Sequence, residues 1–106
     1  MVLIISTAWY PPGKANEVGK KFLEVFKKIP PDPSISKLLT IAVRATKDGI
    51  KVIGISEVVK GKYEEALARS TKWNQEYTSI EGFRYEVETF MGIAEAMKII
   101  GMSAPE

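Results

Sequence analysis

Residues 37–59 read KLLTIAVRATKDGIKVIGISEVV, and this stretch decides how the rest of the chain is arranged. Two runs rich in β-branched and apolar residues flank Lys47, Asp48 and Gly49, which is the pattern of a β-hairpin. We expect these three residues to supply the positive backbone angles that a tight turn requires. The stretch therefore predicts two antiparallel strands in the middle of the chain, and the other elements must be placed around them.

Helical patterns lie on both sides of this hairpin. Residues 14–28 collect apolar side chains on one helical face and charges on the other, and a proline-rich stretch ends the helix. Residues 63–80 form a second helical pattern that Gly82 closes. Residues 92–102, GIAEAMKIIGM, predict a short terminal helix whose apolar surface covers more than half of its circumference.

Strand patterns occupy the two outer positions. Residues 2–10, VLIISTAWY, are apolar on both alternating faces, whereas residues 83–90, FRYEVETF, alternate between apolar and charged side chains. The order βαββαβ predicts a ferredoxin-like α+β fold for residues 1–106, taken as a single domain. Its four-stranded antiparallel sheet carries two helices on one face, and a short C-terminal helix is added.

Right-handed crossovers place the first and third strands in the centre of such a sheet and the second and fourth at its edges. Two helices cover only one face of the sheet, yet the first strand is apolar on both. A second subunit is the simplest cover for the other face, so we expect a homodimer.

The composition excludes several classes of function. The 106 residues include no cysteine and no histidine, and the net charge is +2. Disulfides, thiolate or imidazole metal sites, proximal-histidine haem binding and histidine-based nucleophilic catalysis are therefore excluded. We predict no cofactor, no metal, no nucleic-acid partner and no membrane span. The apolar N-terminus is too short to cross a bilayer and lacks signal-peptide features, so a cytoplasmic protein is expected.

Two polar residues interrupt the apolar stripe of the second helical pattern. Ser70 and Asn74 lie four residues apart, near the middle of the face that should be buried, and Trp73 and Tyr77 flank them. Tyr63 begins the same stripe. A buried hydroxyl or carboxamide needs a hydrogen-bond partner, because an unpaired one costs about 1 to 3 kcal/mol. A small polar or aromatic ligand would satisfy both groups, so these five residues are predicted to line a pocket.

Trp9, at the end of the first strand, is a further candidate for this pocket, although aromatic residues at strand ends more often serve packing. The structural alternative is that Ser70 bonds a backbone carbonyl one turn back while Asn74 bonds a strand or a subunit edge. In that case no ligand is needed.

The turn Tyr-Pro-Pro-Gly-Lys at residues 10–14, running into the helix ANEVGKKFLEVF, resembles the corresponding turn of the dimeric α+β-barrel superfamily. The helix containing Trp73, followed by FRYEVETF and GIAEAMKII, is similar to a group of small, uncharacterised members of that superfamily. The resemblance covers nearly the whole chain. It implies two ferredoxin-like subunits packed sheet to sheet, with a ligand cavity between helices and sheet.

Three functions remain open. The first is a homodimeric barrel protein of undefined activity that binds a small, partly aromatic molecule between helices and sheet. The second, which the resemblance implies, is a cofactor-independent monooxygenase or isomerase that uses the polar and aromatic side chains as hydrogen-bonding groups. The third is a purely structural association module. A cavity of about 300 Å³ or more beside these side chains would favour a ligand site over a filled core.

Charged residues on the strands predict surface ion pairs rather than a site. Arg44 and Glu57 lie on the paired strands, and Arg84 and Glu86 lie on the last strand. Either set could make cross-strand ion pairs, each worth about 0 to 1 kcal/mol. The third strand, residues 51–59, lacks the aromatic platform of RNA-recognition modules, so RNA binding is not expected.

Overall fold

The computed structural model describes residues 1–105. In chain order the elements are β1 (Val2–Tyr10), a short 3-10 helix (Pro12–Lys14), α1 (Ala15–Lys28), β2 (Ser36–Thr46), β3 (Gly49–Val58), α2 (Tyr63–Gln75), β4 (Arg84–Met91) and α3 (Ile93–Ile99). The predicted bounds of β1 and of the first helix are thus nearly those observed. None of the described helices is long and apolar enough to span a membrane.

The four strands form one antiparallel sheet in the order β2-β3-β1-β4. The first and third strands are central and the second and fourth lie at the edges, as right-handed crossovers predict. The ferredoxin-like α+β fold expected from the sequence is confirmed.

Strand alternation gives the sheet two chemically different faces. Ile4, Ser6 and Ala8 on β1 point toward α1 and α2, as do their partners on β3. We call the opposite side the open face. It consists of four cross-strand rows: Arg44, Lys51, Trp9 and Arg84; Ala42, Ile53, Thr7 and Glu86; Thr40, Ile55, Ile5 and Glu88; and Lys37, Glu57, Leu3 and Phe90. Its centre is apolar and its margins are charged.

A β-bulge changes the predicted alternation of β2. The register slips between Leu38 and Thr40, so Leu39 is the extra residue. Simple alternation would have grouped Leu39 with Ile41 and Val43. Instead, Leu38 shares the helix side of the sheet with those two residues. One inserted residue therefore decides which apolar side chains of this strand face the helices.

The hairpin turn differs in one detail from the expectation. Within the turn only Gly49 has a positive φ, of 139°, and no non-glycine residue between 1 and 105 has one, so Lys47 and Asp48 do not supply positive angles. The hydroxyl of Thr46 donates to the Gly49 carbonyl over 2.7 Å and accepts from the Asp48 amide, which closes the turn. Hydrogen bonds of the Thr46 side chain therefore hold this turn, and positive φ angles at Lys47 and Asp48 are not needed.

The second helix ends at Gln75, five residues before the predicted end at Ile80. Beyond it the backbone continues as a chain of tight turns, with the amides of Tyr77, Ile80 and Phe83 each donating to the carbonyl three residues earlier. This path lets Tyr77 and Ile80 both reach the core, where they pack against α1. Burial of these two side chains explains why apolar periodicity persisted past the helix end.

The core has two parts. Under α1 lies a cluster of Val25, Ile29, Tyr77 and Ile80, and under α2 lies a cluster of Ile4, Val58 and Ala66. Between them the packing is incomplete. That gap contains the candidate site.

Two turn glycines, Gly61 before α2 and Gly82 after it, test whether contact with Pro11 fixes the loop after α2. Gly61 and Gly82 have φ of 81° and 83°, but a Cβ on Gly82 would approach Pro11 Cγ to 2.6 Å whereas one on Gly61 meets open space. We expect Gly61→Ala to cost about 1 to 2 kcal/mol from left-handed strain alone. Gly82→Ala should cost clearly more, because the loop must also move away from Pro11. Urea unfolding of both variants measures the difference, and equal costs would show that the Pro11 contact does not fix the loop.

Candidate functional site

A cavity of about 390 Å³ lies between the two long helices and the sheet. The helix side of β1, β2 and β3 forms its floor, and α1 and α2 form its walls. Its volume is within the range of about 300 to 1,000 Å³ that small-molecule sites occupy. The space between the two core clusters is therefore large enough for a ligand.

Four of the six predicted site residues border this cavity. Ser70, Trp73, Asn74 and Tyr77 all line it, as their spacing on α2 and the following turn requires. The four side chains meet at the cavity because they share the helical face on which Ser70 and Asn74 interrupt the apolar pattern.

Trp9 and Tyr63, the other two predicted site residues, do not line the cavity. Strand alternation turns Trp9 to the open face, and it is Tyr10, the next residue, that lines the cavity. Tyr63 begins α2, and its hydroxyl lies 2.8 Å from Thr89 Oγ1 on β4, near the far end of the sheet. The structure does not bring these two aromatic residues to the cavity.

Sequence reasoning missed much of the floor and the α1 wall. Ser6, Gly54 and Ser56 lie on the central strands, and Phe22 and Phe26 lie on α1. Ser6 carried a usable signal, because it and Thr7 are the two polar residues inside an otherwise apolar strand. Phe22 and Phe26 carried none, because their helical spacing is also that of a core stripe.

The carboxamide of Asn74 forms the polar centre of the cavity. This residue is only 5% exposed. Its Nδ2 donates to Ser6 Oγ over 2.6 Å and to the carbonyl of Ser70 over 2.8 Å. Since a carbonyl can only accept, the Ser70 contact fixes which end of the amide is nitrogen. The bond from Asn74 to a strand agrees with the structural alternative, yet it coexists with a cavity.

Several hydrogen-bonding groups at this centre have no protein partner. Among the described residues, none of the hydrogen bonds uses Asn74 Oδ1 or the Ser70 hydroxyl. Ser6 Oγ accepts from Asn74, which leaves its own proton available. The cavity therefore offers one carbonyl acceptor and two hydroxyl groups close together, a set that can both donate to and accept from one ligand.

Aromatic side chains build the walls. The Trp73 ring meets Phe22 and Phe26 edge to face, at centroid distances of 6.0 and 6.3 Å. Tyr77 stacks on Phe83 at 5.1 Å. Such contacts hold flat rings in fixed orientations, and the surfaces suit another planar ring.

The electrostatics of the cavity are those of a neutral site. Burial raises the pKa of Tyr77 to about 12, and the nearby Trp73 indole opposes this shift only in part. The two charged lining residues have local partners: Asp32 accepts from the hydroxyl and amide of Ser34, which lowers its pKa, and Arg69 donates to the Pro30 carbonyl. After the Ser34 hydrogen bonds, the Arg69 charge also lowers the pKa of Asp32, so these two opposite charges compensate each other.

Tyr77 contributes to the cavity as a hydrogen-bonding group. Tyr77 stays protonated near neutral pH and can only be a hydrogen-bond donor or acceptor there. No group of three or more acidic side chains suited to a metal ion occurs among residues 1–105.

Replacing Asn74 with leucine tests how strongly the polar centre contributes to stability. We expect the free energy of unfolding to fall by about 1 kcal/mol, because two hydrogen bonds are lost while Ser6 can turn to water in the cavity. The Tm should fall by about 4 to 8 °C. A double-mutant cycle with Ser6→Ala isolates the Asn74–Ser6 bond. A loss above about 3 kcal/mol would instead indicate a dry polar network that the fold depends on.

Comparisons with solved structures find the same fold in unrelated sequences. A de novo designed protein, Foldit4, aligns over 86% of this chain and 96% of its own, with a TM-score of 0.51 and 17% identity. A dimeric ferredoxin-like protein from an uncultured marine organism aligns over 87% and 94%, with a TM-score of 0.55 and 12% identity. Identities this low establish the fold alone.

A monooxygenase from Streptomyces coelicolor, solved with nanaomycin D, aligns over 86% of this chain and 87% of its own, but with a TM-score of only 0.41 and 16% identity. Comparisons with family models and with curated proteins find no match.

Proposed function

We propose that this protein is a homodimer that binds a small, neutral, partly aromatic molecule in the cavity between α1, α2 and the sheet. The observation that carries the proposal is the unpartnered carbonyl and hydroxyl groups of Asn74, Ser70 and Ser6 at the centre of an aromatic cavity of about 390 Å³. A ligand with a planar ring and a hydroxyl or amide group would satisfy them, and the rings of Trp73 and Phe22 would cover its faces.

The ligand is neutral because an anion or cation would be desolvated without a counter-charge. Asp32 and Arg69 are the charged lining residues, and their opposite charges act on each other, since the Arg69 charge is among the causes that lower the pKa of Asp32. Burying an unpaired charge is far more costly than burying a hydrogen-bonded hydroxyl.

The dimer uses the open face. Leu3, Ile5, Ile53 and Ile55 form an apolar centre that α1 and α2 leave uncovered. A twofold axis parallel to the strands would put β2 of one subunit over β4 of the other and keep each row at its level, so that the apolar centres of the two open faces meet and the row of Arg44 lies at one end of the interface. The marine ferredoxin-like protein with the same fold is dimeric, which supports a homodimer for this chain.

Binding is favoured over catalysis by the state of Tyr77. A general base or acid acts best with a pKa near the working pH, and this phenol is far from neutrality. An enzyme that relies on hydrogen bonding alone would use the same cavity and the same three polar groups, so a ligand of this class would be its substrate.

Fluorescence titration with 2-naphthol tests the ligand class, because Trp73 lies in the cavity and Trp9 does not. In a Trp9→Phe variant, Trp73 is the one indole left, and we expect 2-naphthol to quench it with saturation. The matched anion 2-naphthoate should bind at least tenfold more weakly, about 1.4 kcal/mol. Equal affinity for both probes would contradict a neutral site. A complete lack of saturable quenching by either probe would contradict the proposed function.

A further inference from the structure

The row of the open face nearest the β2–β3 turn is strongly cationic. Arg44 on β2 lies opposite Lys51 on β3, Lys51 lies opposite Trp9 on β1, and Trp9 lies opposite Arg84 on β4. Three cations and one indole thus cross the whole sheet at a single level. The predicted ion pair between Arg44 and Glu57 is wrong, because Arg44 lies opposite Lys51 whereas Glu57 lies opposite Lys37 in the last row.

This arrangement is unfavourable for the free sheet. Like charges directly opposite each other on neighbouring strands repel, and opposite charges would be better by about 0.2 to 1 kcal/mol. Within the described part of the chain, none of the salt bridges involves Arg44, Lys51 or Arg84. The nearest carboxylate of the open face, Glu86, belongs to the next row. A local conflict with the rules of sheet stability is a marker of a functional site.

The indole in this row is also specifically placed. Lys51 Nζ lies 6.0 Å from the centroid of the Trp9 ring. Adjacent strands are about 4.8 Å apart, so the side chains of Arg44 and Lys51 can reach the same anion while Trp9 remains one strand farther along. Guanidinium and ammonium groups both bind phosphate, and guanidinium also stacks on planar rings.

We propose that Arg44, Lys51, Trp9 and Arg84 form a second binding site, on the open face, for a planar aromatic ligand that carries a phosphate group. Arg44 and Lys51 bind the phosphate, and the aromatic ring lies across Trp9 toward Arg84. The site lies at the turn end of the open face, at the margin of the apolar centre proposed for the dimer, and on the opposite side of the sheet from the cavity. Its ligand is an anion, and it does not depend on the neutral ligand proposed for the cavity.

A mononucleotide suits this row better than a longer nucleic acid. One indole can stack a single ring, whereas binding of a single strand uses several aromatic residues along a basic groove. The remaining rows of the open face carry apolar and acidic side chains, which do not continue the cationic track.

Titration with adenosine monophosphate tests the site, with adenosine and inorganic phosphate as the two part-ligands. In a Trp73→Phe variant, Trp9 is the one indole left and reports binding by quenching at low salt. We expect adenosine monophosphate to bind at least tenfold more tightly than either part-ligand. Arg44→Gln and Lys51→Gln should each weaken it at least tenfold, whereas Lys37→Gln, on the same face but in the last row, should leave it unchanged.

Stability of the ligand-free variants gives a second readout. Because Arg44→Gln removes a like-charge contact, we expect its Tm to be equal to or above that of the parent, which also shows that lost binding is not lost folding. Three outcomes would overturn the proposal: adenosine binding as tightly as its phosphate, Lys37→Gln weakening binding as much as Arg44→Gln, or Arg44→Gln dissociating the dimer without changing nucleotide affinity. The last would identify the row as a contact between subunits.

Discussion

Replacing Ile55 with lysine is expected to convert the proposed dimer into a monomer at micromolar concentration. Ile55 lies beside Ile5 in the apolar centre of the open face, where two facing sheets would exclude water. A lysine there has no acidic partner in its own row other than Glu88, two strands away. We expect dimer affinity to fall at least 100-fold, about 2.8 kcal/mol. Light scattering should then give the 11.8 kDa of a single chain instead of twice that mass.

Leu23→Lys provides the control. Leu23 is a 64% exposed apolar residue on α1, so it receives the same change of chemistry away from the open face. It should leave the mass unchanged. A monomeric mass for the unsubstituted protein, or a dimer that survives Ile55→Lys, would show that the open face is not the subunit interface.

Filling the cavity from its floor is expected to abolish ligand binding while raising stability. Gly54 lies on β3 between Ser6 and Ile41, and a Cβ built on it meets nothing within 4 Å. In Gly54→Phe the ring would project into the cavity that Trp73 and Asn74 also line. Burial of a phenylalanine contributes about 1.5 to 3 kcal/mol, and replacing a strand glycine adds about 0.5 to 1 kcal/mol. We expect an increase in Tm together with at least a tenfold loss of 2-naphthol affinity, about 1.4 kcal/mol.

Gly54→Ala separates the two effects. It removes the flexibility of glycine but fills little of the cavity, so it should raise Tm slightly and keep 2-naphthol binding. If Gly54→Phe is destabilised, the cavity cannot accept a ring. If it is stabilised and still binds 2-naphthol, the probe binds elsewhere.

The order of elements and the sheet topology were predictable because each depends on local signals. β-branched runs, a glycine turn and helical periodicity define the hairpin and its neighbours, and handedness rules leave one strand order. The end of α2 was not predictable, because Tyr77 and Ile80 remain in phase with the helix after the chain has left it. Periodicity reports burial and does not report helix geometry.

The candidate site was predictable only on its α2 side. Ser70 and Asn74 conflict with the apolar stripe, and that conflict is visible in the sequence. Which face of β1 meets the helices is not visible, because both faces are apolar, and so Trp9 and Tyr10 could not be assigned to opposite sides. The partner of Asn74 depends on the same choice, since Ser6 reaches it only when even-numbered residues face the helices.

The cationic row required strand register, which the sequence did not define. Arg44 and Lys51 meet because the hairpin has a two-residue turn, and Trp9 joins them through the pairing of β1 with β3. A shift of one residue would move each of these side chains to the other face.

The bulge at Leu39 has a consequence for how this protein avoids aggregation. β2 is an edge strand, and its apolar side chains are exposed, with Val43 65% exposed. A long, regular edge of this kind would offer free amide and carbonyl groups to the β-strand of any neighbouring molecule, which is how amyloid-like stacking begins. The extra residue interrupts the even spacing of those groups and increases the local twist. The same insertion that brings Leu38 to the helix side, beside Ile41 and Val43, thus protects the strand from adding a further strand in a crowded solution.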